Sequence, residues 1–347
     1  MGVSWLAWGW RRPRSWRAWK PSAAISGDTR LPVMFSLIPL LEASASLDAL
    51  HAGLRAYVAT SGFPLPEDER LLDHIRASVQ YGHMDAVLVV AAGQAIGAAA
   101  WRVDGLAGTI NLLYLLPEAP PAAAAALLEY VMAALRSNLL PDGIYAELPA
   151  LQPMIREALH AAGFGEVARL ILALDLGGHD WPVALPLGYG LRAWRPADLR
   201  PAARVIYQAN LGTLDAMIIP ELRTLASTRR IVQDTLYGRY GGFDRAASGV
   251  VLAGSHVVGV TLVTRRHRGE GFTAEICVLP AHQRRGLGRA LLHHTHAALC
   301  AGGVGTATLG VTDGNPARLL YERVGYRQAG AIWTYVWPRP DGWPESA

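Results

Sequence analysis

The run Val278-Leu279-Pro280-Ala281-His282-Gln283-Arg284-Arg285-Gly286-Leu287-Gly288-Arg289-Ala290-Leu291-Leu292 decides how this chain is read. A β-type stretch, Phe272 to Leu279, runs into it, and an amphipathic helix from Gly286 to Ala301 runs out of it. Gly286 and Gly288 let the backbone approach an anion closely. The first N–H groups of a helix lack intrahelical acceptors and stand at the positive end of the helix dipole. Arg284, Arg285 and Arg289 add charge-assisted donors. Strand end, glycine turn and helix start together predict a pyrophosphate site.

Outward from this run the chain repeats itself. Gly249 to Ala253 and Val257 to Thr264 read as strands flanking Gly254-Ser255-His256, and Ala86 to Ala91 and Ala95 to Val103 flank Gly93-Gln94 in the same way. Gly97 pairs with Gly259 and Gly163 with Gly325, both at a spacing of 162. Two separate landmarks at one spacing indicate duplication. In the second copy a strand at Leu191 to Trp194 is followed by helices from Pro196 to about Leu211 and from Thr224 to Leu236. After the strands named above come Ala307 to Val311, a helix from Asn315 to Val324, and a last strand, Ile332 to Trp337. The Gly- and Pro-rich segment Leu176 to Gly190 lies between the copies as a linker or crossing segment.

The motif Gln283-x-x-Gly286-x-Gly288 after a Val-x-Pro strand end, with this order of elements, resembles the GNAT superfamily of N-acetyltransferases. The resemblance covers the second copy nearly end to end. It implies an α/β (α+β) fold of two tandem units, each a mixed, mostly antiparallel sheet flanked by helices. The expected domains are a GNAT-like unit over 34–180 whose motif has degenerated and an acyl-CoA-binding unit over 186–338. The layout, with a degenerate first copy and an intact second, also resembles the mycothiol synthases.

The resemblance further implies acetyl-CoA as cosubstrate, its diphosphate on Gln283, Arg284, Arg285, Gly286, Leu287, Gly288, Arg289 and Ala290, and its pantetheine arm along the backbone of Cys277 and Val278, one of which would supply an oxyanion N–H. Tyr321 takes the place of the general acid that protonates the leaving thiolate. Asn315 either touches the cosubstrate or caps the following helix. Glu275, a carboxylate in a central strand, is the candidate general base; it shares an alternation with Thr273 and Cys277. A carboxylate paired to a nearby Arg is the competing reading. His256 and His267 stand in loops near the site. His293, His294 and His296 crowd one helix without a carboxylate at ligand spacing, so no metal is expected and a polar helix flank is. Cys277 reads as a buried strand cysteine and not as a nucleophile.

The first copy keeps the frame and loses the chemistry. Leu115-Leu116-Pro117 matches Val278-Leu279-Pro280, but Glu118-Ala119-Pro120-Pro121 and a run of alanines follow. An acid repels a diphosphate, and prolines remove N–H donors. Leu159 and Pro153 stand where Tyr321 and Asn315 do.

Composition bounds the partners. The net charge of +4 is concentrated in Arg11, Arg12, Arg14, Arg17 and Lys20, with no acid beside them, so the remainder sums to −1. That leaves no case for a nucleic-acid surface. Apolar runs are too short to span a bilayer, and two cysteines in 347 residues read as reduced and cytoplasmic. Residues 1–33, with five interleaved tryptophans, read as a disordered extension, with Met34 as an alternative start. The expected activity is transfer of an acetyl group to a primary amine of a small molecule. A protein N-terminus or side chain is the alternative acceptor, and a non-catalytic acyl-CoA-binding protein the alternative class.

Overall fold

The computed structural model describes residues 35–59, 71–104, 107–138, 140, 143–148, 152–266, 269–341 and 343. The expected extension over 1–33, the start at Met34 and the loop residue His267 lie outside the described residues. The first half runs β1 (Ser36–Pro39), α1 (Asp48–Ala59), α2 (Leu71–Gln80), β2 (Asp85–Ala91), β3 (Gln94–Asp104), β4 (Ala107–Leu115), α3 (Pro121–Arg136), β5 (Ile144–Leu148), α4 (Pro153–Ala161) and β6 (Gly165–Asp175). The second runs β7 (Tyr189–Ala193), α5 (Leu199–Asn210), α6 (Leu214–Ile218), α7 (Leu225–Leu236), β8 (Gly242–Phe243), β9 (Gly249–Ala253), β10 (His256–Arg266), β11 (Glu270–Val278), α8 (Leu287–Ala301), β12 (Thr306–Thr312), α9 (Arg318–Val324) and β13 (Arg327–Trp337). No helix of the described residues is long and apolar enough to cross a membrane.

The strands form one sheet in the order β1-β2-β3-β4-β5-β13-β6-β12-β11-β10-β9-β7, with β8 on β10. It is mixed: β4–β5 and β11–β12 are parallel, and the other pairs are antiparallel. Helices cover both faces, which is why the central strands read as near-continuous apolar runs. In β2, Val87 and Val89 pack with Leu127 and Val131 of α3, while Leu88 and Val90 pack with Leu50, Leu54, Leu72 and Ile75 of α1 and α2. Each such side chain contributes about 1.5–3 kcal/mol by leaving water. In the second half, Val250, Val260 and Leu262 face α5 and α7, and Val251 and Val258 face Leu287 and Leu291 of α8.

The duplication is preserved down to its irregularities. The β2–β3 register slips between Val89 and Val90, skipping Ile96, and the β9–β10 register slips at the corresponding place, skipping Val258. A second bulge leaves Asn111 unpaired between β3 and β4, and its counterpart leaves Ala274 unpaired between β10 and β11.

The last strands are exchanged. β6, which ends the first half, pairs with β12 of the second; β13, which ends the second, pairs with β5 of the first. β6 and β13 then pair with each other from Arg327↔Ala173 to Val336↔Gly165. A buried carboxylate pins this crossing. Glu166 of β6 accepts from Tyr335 Oη of β13 at 2.7 Å and from Arg156 of α4 at 2.8 Å. Burial alone would raise its pKa, but the bonds from Arg156 and Tyr335 outweigh it and hold the carboxyl below its usual range. The segment 176–188 carries no helix or strand, and Trp181 within it packs edge-on against His296, ring centroids 4.4 Å apart.

Candidate active site

β11 and β12 pair only from Glu270↔Thr306 to Thr273↔Leu309; past that point β11 continues to Val278 and β12 to Thr312 without pairing. The bulge at Ala274 stands where they part. It also corrects the expected alternation. One extra residue reverses the side chains beyond it, so Thr273 lies beside Tyr326 while Cys277 packs on the opposite face against the α5 cluster. Glu275 and Cys277 remain together.

Backbone direction corrects a second expectation. Leu279 N donates to Val258 O at 2.9 Å. By antiparallel alternation Cys277 also turns its N–H and C=O to β10, and Ile276 and Val278 turn theirs to the opening. The Cys277 N–H is therefore spent inside the sheet, and Val278 is the donor that faces the gap. Its carbonyl accepts from Gln283 Nε2 at 2.9 Å, so Gln283 braces the loop that follows.

That loop is bent by Arg284 at φ +60° and Gly286 at φ +81°. A Cβ on Gly286 would meet nothing within 4 Å, whereas one on Gly288 would come within 3.0 Å of Leu320 Cδ2. Gly286 thus borders open space, and Gly288 lets α8 approach α9. The N–H groups of Leu287, Gly288 and Arg289 find no acceptor among the described residues. The side chains of Leu287 and Ala290 are buried, and those of Arg284, Arg285 and Arg289 are exposed. Free N–H groups, a helix dipole and three exposed guanidinium groups suit a diphosphate.

Charged and hydroxyl groups converge on the opening. Asp215 of α6 accepts from Thr312 Oγ1 and, at 2.8 Å, from Asn315 Nδ2. Asn315 Oδ1 accepts from Ala317 N at 2.9 Å. Asn315 therefore caps the turn before α9 and orients Asp215. Glu275 lies half-buried near Asp215; burial first, and repulsion by Asp215 second, push its pKa up to about 7, with Arg169 opposing. Tyr321 is buried close to Cys277, and burial pushes its phenol far above the usual range. Its hydroxyl makes no hydrogen bond among the described residues. Burial likewise raises the Cys277 thiol well above its usual range, its sulfur accepting from Asn210 Nδ2 at 3.8 Å, so a reactive thiolate is disfavoured.

Sequence reasoning missed Asp215 and Arg169. Asp215 lies in a short helix far upstream, and Arg169 comes from the exchanged strand β6, opposite Thr312. Only the pairing of strands brings them here.

His256 is exposed in its hairpin turn. The expected polar flank on α8 is only partly so. His296 is fully buried, sharing a 2.8 Å hydrogen bond with Tyr326 Oη, and burial pushes its pKa down to about 3. The side chain packs under Trp181 of the crossing segment, which the helix pattern alone does not reveal. No group of three or more metal-ligating side chains occurs among the described residues.

The first half parts its strands in the same way. β4 and β5 pair over three residues, from Gly108↔Ile144 to Ile110↔Ala146, and then separate. Here Gln152 fills the gap: Nε2 donates to Leu115 O at 2.7 Å, and Leu115 N donates to Oε1 at 3.1 Å. Leu115 is the counterpart of Val278, so both backbone groups that would face a ligand are occupied from within.

Residues 246–328 match the family model of the acetyltransferase (GNAT) domain. The [ribosomal protein bS18]-alanine N-acetyltransferase of Haemophilus influenzae is 38% identical over 72 residues, which are 21% of this chain. The chain spans about half the length of that curated relative, 49%. Among solved structures, a GCN5-related N-acetyltransferase from Sphaerobacter thermophilus is 18% identical, covers 90% of this chain and 98% of its own, and has a TM-score of 0.64. A tandem GNAT protein from the clavulanic acid biosynthesis pathway is 19% identical, covers 87% and 97%, and has a TM-score of 0.53. The resemblance to the mycothiol synthases has no counterpart among these matches. With the loop, the parted strands and the repeated frame in place, residues 246–328 form an acetyltransferase (GNAT) domain, and the chain as a whole has the fold of a tandem GNAT protein.

Proposed function

We propose that the second half transfers an acetyl group from acetyl-CoA to a primary amine, of a small molecule, by direct attack. One observation carries this reading: the gap between β11 and β12 opens beside a loop with free helix-start N–H groups, and Glu275 and Tyr321 both stand at that gap. The loop from Gln283 to Ala290 would hold the diphosphate. Glu275, with a pKa near neutrality, is suited to accept a proton from the incoming ammonium. The Val278 N–H is suited to meet charge that develops on the acetyl oxygen. Tyr321, a protonated phenol throughout the working range, is suited to protonate the departing thiolate. Cys277 takes no covalent part.

The test combines thiol release with mass detection of acetylated product across a panel of amines. Thiol release that requires an amine supports the proposal. Tight acetyl-CoA binding without thiol release for any amine would replace it with a non-catalytic binding role. A second reading, acetylation of a peptide N-terminus, is favoured by the named substrate of the Haemophilus relative. A peptide beginning with alanine belongs in the same panel, and turnover restricted to it would select that reading.

A further inference from the structure

We propose that the acceptor side of this cleft is built by both halves, with Arg169 of the exchanged strand β6 as the positioning residue for Glu275. The inference rests on the transfer reading above and assigns the first half a part in it. The geometry is set by Thr312. Across the β6–β12 ladder Thr312 stands opposite Arg169, and its hydroxyl donates to Asp215. The end of β12, past its last pairing with β11, thereby has the strand of a cation beside it and an anion bonded to it, next to the gap that Glu275 enters. Arg169 Nη1 donates to Glu147 of β5 at 3.1 Å, its Nη2 passes 3.8 Å from the Cβ position of Gly310, and its Nε is buried with no partner among the described residues. The guanidinium is thus tethered at one end and keeps donors for the cleft.

The Asp215 side of the gap also leans on the first half. Leu214, Ile218 and Ile219 pack on Tyr145 and Val167 of that half and on Val336 of β13. Arg223 donates to the carbonyls of Ala216 at 3.1 Å and Met217 at 2.7 Å, with its guanidinium 5.5 Å from the Tyr145 ring centroid. Removing the first half would release both walls.

The groups near Glu275 are Asp215 from α6, Arg169 from β6, Cys277 on its own strand, Tyr321 from α9 and Tyr240 after α7. Burial keeps the thiol and both phenols neutral. The charge balance at Glu275 is therefore set by Asp215 against Arg169, with Glu147 behind Arg169. Taking away the cation favours the neutral carboxyl; taking away Glu147 favours the carboxylate.

The experiment follows the ¹³C resonance of the Glu275 carboxyl in the full chain from pH 5 to 9, assigned by its loss in Glu275→Gln. Arg169→Leu is expected to raise the midpoint by about one pH unit. Glu147→Gln is expected to lower it, and Arg169→Lys to leave it near wild type. Where turnover is measured, the acid limb of kcat/KM moves with the midpoint while acetyl-CoA affinity stays within about threefold. A midpoint unmoved in both Arg169→Leu and Glu147→Gln, with only Tm changed, overturns the proposal and makes Arg169 a structural residue. If Arg169→Leu does not fold, Glu147→Gln decides alone, and no downward shift overturns it. A wild type that transfers acetyl to no amine sinks the transfer reading instead, and the resonance still decides the role of Arg169.

Discussion

The two halves share a frame and differ in what fills it. Both carry the same two bulges, the same parallel pair that separates after a few residues, and a helix laid under the gap. In the second half the gap holds Glu275, Cys277 and Tyr321. At the matching positions the first has Leu112, Tyr114 and Leu159, all buried among apolar neighbours. Gly314, at φ +81° with open space around its Cβ position, stands where Gln152 reaches into the first gap. The comparison teaches that the parting of the strands belongs to the fold and needs no ligand to maintain it. A gap that exposes backbone N–H and C=O groups must satisfy them somehow. One half does so with its own glutamine, and the other leaves the donor free.

The comparison breaks most easily at the loop. Gly286→Glu places a carboxylate and a side chain at a position with φ +81° that borders the expected diphosphate. Several kcal/mol of like-charge repulsion correspond to a loss of acetyl-CoA affinity of about a hundredfold or more. Ala125→Glu, at the position matching Gly288 and exposed on α3, should leave affinity within about twofold. Isothermal titration of the unmodified chain should give one site. Two sites of similar affinity would show that Gln152 does not close the first gap.

A smaller effect tests the chemistry of the second gap alone. Tyr321→Phe should lower kcat about a hundredfold, the usual contribution of a general acid, and leave the Kd of acetyl-CoA nearly unchanged. Leu159→Phe in the first half should leave kcat unchanged. If the Tyr321→Phe enzyme keeps its rate across pH, the tyrosine is packing, as Leu159 is, and the two gaps differ less than their residues indicate.

How much of this was legible in the sequence follows from range. The loop, its two glycines, the strand that feeds it and the spacing of 162 are local or translational patterns, and they survive into the structure as drawn. The bulge at Ala274 was not legible, because a bulge costs one residue of pairing and leaves the composition of the strand unaltered. The exchange of β6 and β13 was not legible either. Val167, Ala168, Leu170, Ile171 and Leu172 are buried with no polar–apolar alternation, so this part of the strand suits any buried partner, and it does not select β12 over β5. Arg169 and Asp215 were missed for the same reason, since their placement depends on that selection. His296 was misread because a histidine among histidines looks polar until a tryptophan from a distant segment covers it.

The smallest effect concerns a buried polar pair that only the second half has. Tyr326 bonds His296, while Phe164 takes the Tyr326 position in the first half and makes no such demand. Burial holds the His296 imidazole neutral, with a folded-state pKa of about 3 against an ordinary 6.5. The unfolded chain therefore takes up a proton that the folded chain refuses once pH falls below 6.5. Stability from this group is fully present above 6.5 and is lost toward 3, at about 1.4 kcal/mol per pH unit. His296→Gln keeps an acceptor for Tyr326 and removes the titration. The difference in unfolding free energy between wild type and His296→Gln, measured in urea from pH 8 to pH 5, should be flat above 6.5 and should slope against the wild type below it, by about 2 kcal/mol at pH 5. His294, whose pKa burial also lowers, titrates alike in both proteins and cancels. Phe164→Leu should cost the same at both ends of that range. Parallel curves for wild type and His296→Gln would mean that the folded protein admits the proton, and that the crossing segment over His296 opens to water.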